Sequence, residues 1–310
     1  MPLPNLFIVG APKCGTTSMH TYLGQHPEIF MCEPKEPYYF LTDMLHKDRY
    51  NTKAYFALFK KAKNVKYAGE SSVVYLYSRT AAKKIHCFCR TARIIIMLRN
   101  PVDLLYSLHH QLLFFGNEDI FDFAEALAAE PDRASGKRIP STAFFPHGLL
   151  YRKIVNFTPQ IIRYFNVFGH NAVKIIIFDD FFQDTAREYQ RTLQWLGLRD
   201  DVQVDLSIKN IRQPLPNLAI QRLLRRNAFL RKCRSAILKI VPTPAISTVQ
   251  HAIGAVTQKQ RPKTMRAELR AELQEELRPQ IEKLSELINR DLTHWCRHPA
   301  NQQKLVTTES

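Results

Sequence analysis

Residues Gly10 to Ser18 read Gly-Ala-Pro-Lys-Cys-Gly-Thr-Thr-Ser. An apolar run, Leu6-Phe7-Ile8-Val9, precedes them and a helical pattern, Thr16 to Gln25, follows. A loop between a strand and a helix start gathers backbone N–H groups around an anion, and the helix dipole adds favourable charge. Lys13 contributes a cation, and Thr16, Thr17 and Ser18 contribute hydroxyl donors. The nucleoside-triphosphate loop, Gly-x4-Gly-Lys-Ser/Thr, needs a lysine directly after its second glycine. Here Gly10 and Gly15 keep the spacing, but Thr16 stands in the lysine's place and the lysine has moved to position 13. A second cation, Arg99, ends the apolar run Arg93–Leu98, and strand C-termini of open α/β sheets face the ligand crevice. Asn100 follows it, so no aspartate stands there as a magnesium ligand. This chemistry suits a phosphate-like anion better than a magnesium nucleotide.

Several elements must position these groups. Leu6–Val9, Arg93–Leu98 and Val173–Phe178 read as buried parallel strands, with a short fourth strand at Val65–Ala68. Helical patterns lie around Thr80–Phe88, Val102–Phe115, Leu149–Phe165 and Asp184–Leu196. The alternation predicts a three-layer α/β fold with a central, mainly parallel sheet flanked by helices. Leu269, Leu273, Leu277, Ile281, Leu284 and Ile288 recur at helical spacing, with Pro279 as a kink, giving a helical C-terminal elaboration. One domain spanning 1–310 is the simplest organisation: core about 5–205, helical part about 206–297, and a flexible tail 298–310.

Charge is unevenly placed. Lys plus Arg number 44 against 28 Asp plus Glu, a net charge of +16, which points to an anionic partner. From Leu206 to Ala267 there is no acid but thirteen Lys and Arg residues. No apolar run approaches the ~20 residues of a membrane span. Met1–Gly10 lacks a basic leader, and the six cysteines are dispersed. These features predict a cytoplasmic protein with free thiols, without a metal site.

Pro12 to Ser18 resembles the 5′-phosphosulfate-binding loop of sulfotransferases that use 3′-phosphoadenosine 5′-phosphosulfate (PAPS). Arg99-Asn100-Pro101-Val102-Asp103-Leu104-Leu105-Tyr106-Ser107 is similar to that family's 3′-phosphate-binding segment. Gly69 to Ser72 and Tyr75 to Tyr77 resemble a region bordering the acceptor site, Gly148 with Tyr151 a glycine–tyrosine pair before a helix, and Leu284 to Trp295 the ending of many bacterial members. The resemblance covers roughly residues 5–297 and lies nearer the glycan, heparan-sulfate-type branch than the phenol or steroid type.

The resemblance implies a P-loop-like fold and a set of roles. Lys13, Cys14, Gly15, Thr16, Thr17, Ser18, Arg99 and Ser107 would hold the co-substrate, with Lys209 and Arg212 closing over its phosphates. Lys13 and Glu36 would be catalytic, with Glu36 as base; it sits in the rigid loop Glu33-Pro34-Lys35-Glu36-Pro37-Tyr38. Glu70, Tyr38 and Tyr151 are candidate acceptor contacts. Ser71 stands where heparan-type relatives carry a lysine, a departure that counts against a heparan-like acceptor and against an inherited role for Glu70. His86 is the nearest candidate for the histidine base of phenol-type members, but its helical, basic surroundings read as surface. His20, His109 and His110 read as packing or surface histidines.

Sulfuryl transfer needs a base for the acceptor proton, a cation beside the leaving phosphate and in-line positioning, and no metal. The acceptor would be a hydroxyl or amine of a glycan, glycolipid or small metabolite. Two other readings stay open: a P-loop kinase or phosphotransferase, and a basic anion- or membrane-binding protein, with peripheral membrane contact, built on residues 206–267. Aromatics other than Phe229 do not interleave that stretch, so no nucleic-acid partner is expected. Acceptor identity and oligomeric state are open.

Overall fold

The computed structural model describes residues 3–44, 51–207 and 265–297. Lys209, Arg212 and nearly all of the acid-free basic stretch lie outside the described residues, as does the tail.

Five parallel strands form one sheet in the order β2-β3-β1-β4-β5. They are β1 (Leu6–Gly10), β2 (Ile29–Met31), β3 (Tyr67–Ser71), β4 (Arg93–Leu98) and β5 (Val173–Ile177). β1 is central, paired in parallel with β3 on one side and β4 on the other. Leu6 to Val9 and Ile94 to Leu98 are fully buried, as expected for strands covered on both faces. Each such side chain contributes roughly 1.5–3 kcal/mol by leaving water. The chain winds from β1 to one edge and then crosses to β4. The order therefore reverses beside β1, and the crevice at the carboxyl ends of β1 and β4 is the ligand position of open α/β sheets.

Local chemistry sets the helix boundaries. Gly15, left-handed at φ 82°, ends the first loop and starts α1 (Thr16–Leu23). α2 (Thr52–Ala57) and α3 (Ala81–Phe88) follow; the Asn100 side chain accepts from the Val102 amide and Pro101 takes the first helical turn of α4 (Pro101–Phe115). Asp184 caps the helix Thr185–Leu196 through the Arg187 amide.

The expected helix over Leu149–Phe165 is instead a 3-10 turn (Pro146–Leu149), a short helix (Tyr151–Ile154) and a longer one (Phe157–Phe168). The Gln160 amide donates to the carbonyls of Lys153 and Ile154 and so stabilises the break. The strand expected at Val65–Ala68 begins two residues later and runs on through Glu70. Pro279 lies on the exposed side of a continuous C-terminal helix (Ala267–Ile288), where its missing N–H faces solvent. That helix buries Leu273, Leu277, Ile281 and Leu284, four of the six periodic residues.

Candidate active site

The loop between β1 and α1 lies where the sheet order reverses. Gly10 allows a close approach: a β-carbon there would stand 2.6 Å from the Cβ of Leu76. Gly15 is enclosed by the Phe178 and Phe181 rings and has no side chain with which to cap α1. The first amides of α1 therefore meet no competing cap from that residue, which favours an anionic ligand.

Lys13 is half-buried, and burial together with the nearby Arg99 guanidinium lowers its pKa. Arg99 donates to the Lys13 carbonyl at 3.3 Å and lies over the Phe178 ring at 4.8 Å. Two cations converge on one partly desolvated loop, an arrangement that an anion would relieve. The Cys14 side chain points inward: its thiol is buried, contacts the Pro12 carbonyl and is pushed strongly upward in pKa by burial. Only its backbone remains for anion binding. Thr16 and Ser18 are buried at the helix start, and Thr17 is exposed. Ser107 lies two turns into α4, half-buried.

Glu36 is held on an unusual backbone. Lys13, Glu36 and Tyr38 all adopt positive φ, at 64°, 63° and 57°. Such residues carry on the order of 1–3 kcal/mol of strain each, and they gather at functional sites. The Glu36 amide donates to the Ser71 carbonyl at 2.9 Å, which seats the loop on the end of β3. Its carboxylate accepts from the Tyr38 hydroxyl and from Lys35 at 3.2 Å.

A cavity of about 260 Å³ opens beside this carboxylate. Pro12 of the anion loop and Glu36 with Tyr38 contribute to its lining, as do Leu108 and Leu112 of α4 and Phe145. The far wall depends on the segment after α4. There Glu118 and Arg133, both fully buried, pair at 2.6 and 2.7 Å. The amides of Asp119 and Ile120 donate to the same carboxylate. Burial alone would raise the Glu118 pKa, but hydrogen bonds from Arg133, the Ile120 amide and Tyr151 hold it below the usual value. Phe144 is tied back by its amide donating to the Asn117 side chain at 2.8 Å.

Two candidate acceptor contacts lie elsewhere. Glu70 is fully buried behind the site and receives the hydroxyls of Tyr55 (2.7 Å), Ser72 (2.7 Å) and Tyr75 (3.2 Å). Burial raises its pKa to about 7 against the opposing pull of those hydroxyls. Ser72 in turn accepts from the Tyr38 amide and Tyr75 from the Phe40 amide. Glu70 thus anchors the Glu36 loop from behind and does not meet the cavity. Tyr151 is also buried, with its hydroxyl donating to Glu118 at 2.7 Å; it braces the wall. Tyr38 does line the cavity.

The histidines are placed as packing groups. His86 stacks edge-on against Phe168. His20 meets Ser71 at 2.8 Å and Glu33 at 3.5 Å. His109 contacts the Ile120 carbonyl. His110 stands against Tyr106, and burial, His109 and Lys13 lower its pKa to about 4, so it is neutral at pH 7.

Some contributors carry no sequence signal of their own. Gln111 lines the cavity one helical turn after Ser107, and helical spacing from that serine leads to it. Asp179 accepts from Trp295 at 2.6 Å and from His294 at 3.1 Å, while the Trp295 carbonyl accepts from Asn100 and Gln274. The C-terminal segment is thereby fastened beside Arg99.

The geometry has counterparts in known proteins. The Membrane-associated sulfotransferase kil1 of Dictyostelium discoideum is 31% identical over 108 residues, covering 35% of this chain and 23% of that protein. Human Carbohydrate sulfotransferase 15 is 31% identical over 169 residues, covering 40% of this chain and 29% of that protein. The chain thus spans under a third of the length of these curated relatives. A solved sulfotransferase from Alicyclobacillus acidocaldarius superimposes with a TM-score of 0.71 at 27% identity, covering 96% of this chain and 100% of that one. No described helix is long and apolar enough to cross a membrane. Residues 3–236 match the family model described as Sulfotransferase domain. With its parallel sheet, its β1–α1 loop and its C-terminal helix, the chain belongs to the sulfotransferase domain family.

Proposed function

We propose that this chain transfers the sulfuryl group of PAPS to an acceptor hydroxyl or amine, with Glu36 as the base. The observation that carries the reading is the shared cavity: Pro12 of the anion loop and the Glu36 carboxylate line the same space. A donor phosphosulfate on the loop amides would stand beside an acceptor held at Glu36.

The residues divide the work. The α1 amides, Lys13, Thr16, Thr17 and Ser18 bind the 5′-phosphosulfate, and Arg99 with Ser107 binds the 3′-phosphate. Glu36 takes the acceptor proton as the new O–S (or N–S) bond forms and the bond from sulfur to the phosphate oxygen breaks. The electron pair leaves with that oxygen, where Lys13 opposes the growing charge. Lys209 and Arg212 are assigned to the co-substrate phosphates. Glu70 acts through the loop, and Tyr38 directs a hydrogen bond at Glu36.

Thermal unfolding with 3′-phosphoadenosine 5′-phosphate (PAP) against ATP–Mg tests the donor assignment. PAP at ~100 times its dissociation constant should stabilise by about 2.7 kcal/mol. Stabilisation by ATP–Mg without any by PAP would favour a nucleotide phosphotransferase and remove the proposal.

A further inference from the structure

The cavity beside Glu36 has a chemical character of its own. Glu36 is the one charged side chain among the described residues that line it. Leu41 and Leu76 line it together with Leu108 and Leu112. Its neutral polar side chains are Tyr38, Tyr77, Gln111, Asn117 and Gln160, too few for a sugar ring with many hydroxyls, and three of them are committed already, Tyr38 to Glu36 and both Asn117 and Gln160 to the wall. The Asn117 side-chain oxygen accepts from the Phe144 amide, and the Gln160 amide donates to two backbone carbonyls. A sugar entering this space would bring several hydroxyls, and each one left unpaired costs about 1–3 kcal/mol. A sulfated or carboxylated sugar would also lose hydration beside Glu36, and the nearest described cation, Lys35, is already paired with that carboxylate at 3.2 Å.

Size narrows the occupant further. A dry cavity of about 150 Å³ accepts benzene, so about 260 Å³ suits one to two rings or a short alkyl chain. Phe115 and Phe144, both cavity residues, are also 41% and 62% exposed. They extend the apolar lining toward solvent. From these observations we infer that the acceptor is a compact apolar phenol or alcohol: its hydroxyl lies at Glu36, its body fills the space against α4, and any longer chain leaves past Phe115 and Phe144. This inference rests on the sulfuryl-transfer reading of the same site. It separates the chain from the carbohydrate named for its human relative.

The experiment uses the full chain, PAPS as donor, and three acceptors: 2-naphthol, 1-octanol and a chondroitin tetrasaccharide. PAP binding is measured in parallel by calorimetry. The expected result is PAP binding, with kcat/KM for 2-naphthol and 1-octanol at least 100-fold above the tetrasaccharide. Phe144→Ala, at a position 62% exposed, should raise KM for 1-octanol about fivefold. PAP binding without sulfation of either apolar acceptor, whatever the tetrasaccharide does, overturns the acceptor class and leaves the donor assignment standing. Absence of PAP binding removes the donor assignment and this inference with it.

Discussion

The two ends of the proposed site, one for the donor and one for the acceptor, are built by different means. The donor end is a contiguous loop, residues 10–18, with Arg99 placed by the end of a neighbouring strand. Its recognition groups are backbone amides and a few cations, so their spacing is written in consecutive residues. The acceptor end is assembled from α4, the Glu36 loop and the Phe144–Gly148 segment. The proposed acceptor recognition there is by shape and apolarity, and the fixed points are buried pairs such as Glu118–Arg133. A phosphate asks for the same local geometry in any protein, whereas an acceptor body asks only for complementary volume. The donor end is therefore the more generic half, and the acceptor wall is where this chain is particular.

Breaking the wall and leaving the loop gives the largest expected effect. Arg133→Ala leaves the Glu118 carboxylate buried without its partner and should destabilise the fold by roughly 3–5 kcal/mol in denaturant unfolding. PAP affinity of the molecules that remain folded should stay within about twofold. Breaking the loop reverses the pattern. Lys13→Ala should lower kcat by about 10²–10³ through lost charge stabilisation, weaken PAP in calorimetry, and leave stability nearly unchanged.

Glu70 tests whether the loop anchor is a stability device. Its folded pKa of about 7 lies above the ordinary 4.5, so the native state holds its proton more tightly than the unfolded chain. That contribution is fully present below about pH 4.5 and is lost as pH rises through about 7. It amounts to something on the order of 3 kcal/mol. Glu70→Gln should therefore flatten this fall in a pH series of unfolding curves. The smallest effect is expected from Ser107→Ala. Loss of one hydrogen bond to the 3′-phosphate should weaken PAP by roughly tenfold, about 1–1.5 kcal/mol, with acceptor KM unchanged in steady-state assays.

Legibility in the sequence follows the same division. The long apolar runs at Leu6 and Arg93 reveal β1 and β4 because strands buried on both faces are continuous in hydrophobicity, and the β-branched run at Val173 reveals the edge strand β5. β2 was not anticipated, since three residues carry no periodicity. The expected strand at Val65–Ala68 stops short of the end of β3 because the strand includes Glu70, a carboxylate that sequence reasoning sends to the surface and that three hydroxyls make tolerable inside. Arg99 reaches the Lys13 carbonyl, and Glu36 lines the cavity beside that loop. Tyr151 and Glu70 were expected at the acceptor and instead brace the elements around it, because a motif records that a residue matters and not which way its side chain turns. The apolar cavity had no motif, since Leu108, Leu112 and Phe145 acquire a common purpose only when distant segments meet.

The central claim is that one carboxylate, Glu36, removes the acceptor proton beside a separately built donor loop. Glu36→Gln tests it most directly, with PAP affinity by calorimetry and turnover by PAPS-dependent sulfation measured on the same preparation. The account predicts PAP affinity within about twofold of the parent and kcat lowered by about 10²–10⁴. Turnover equal to the parent's, with PAP bound as before, would contradict it.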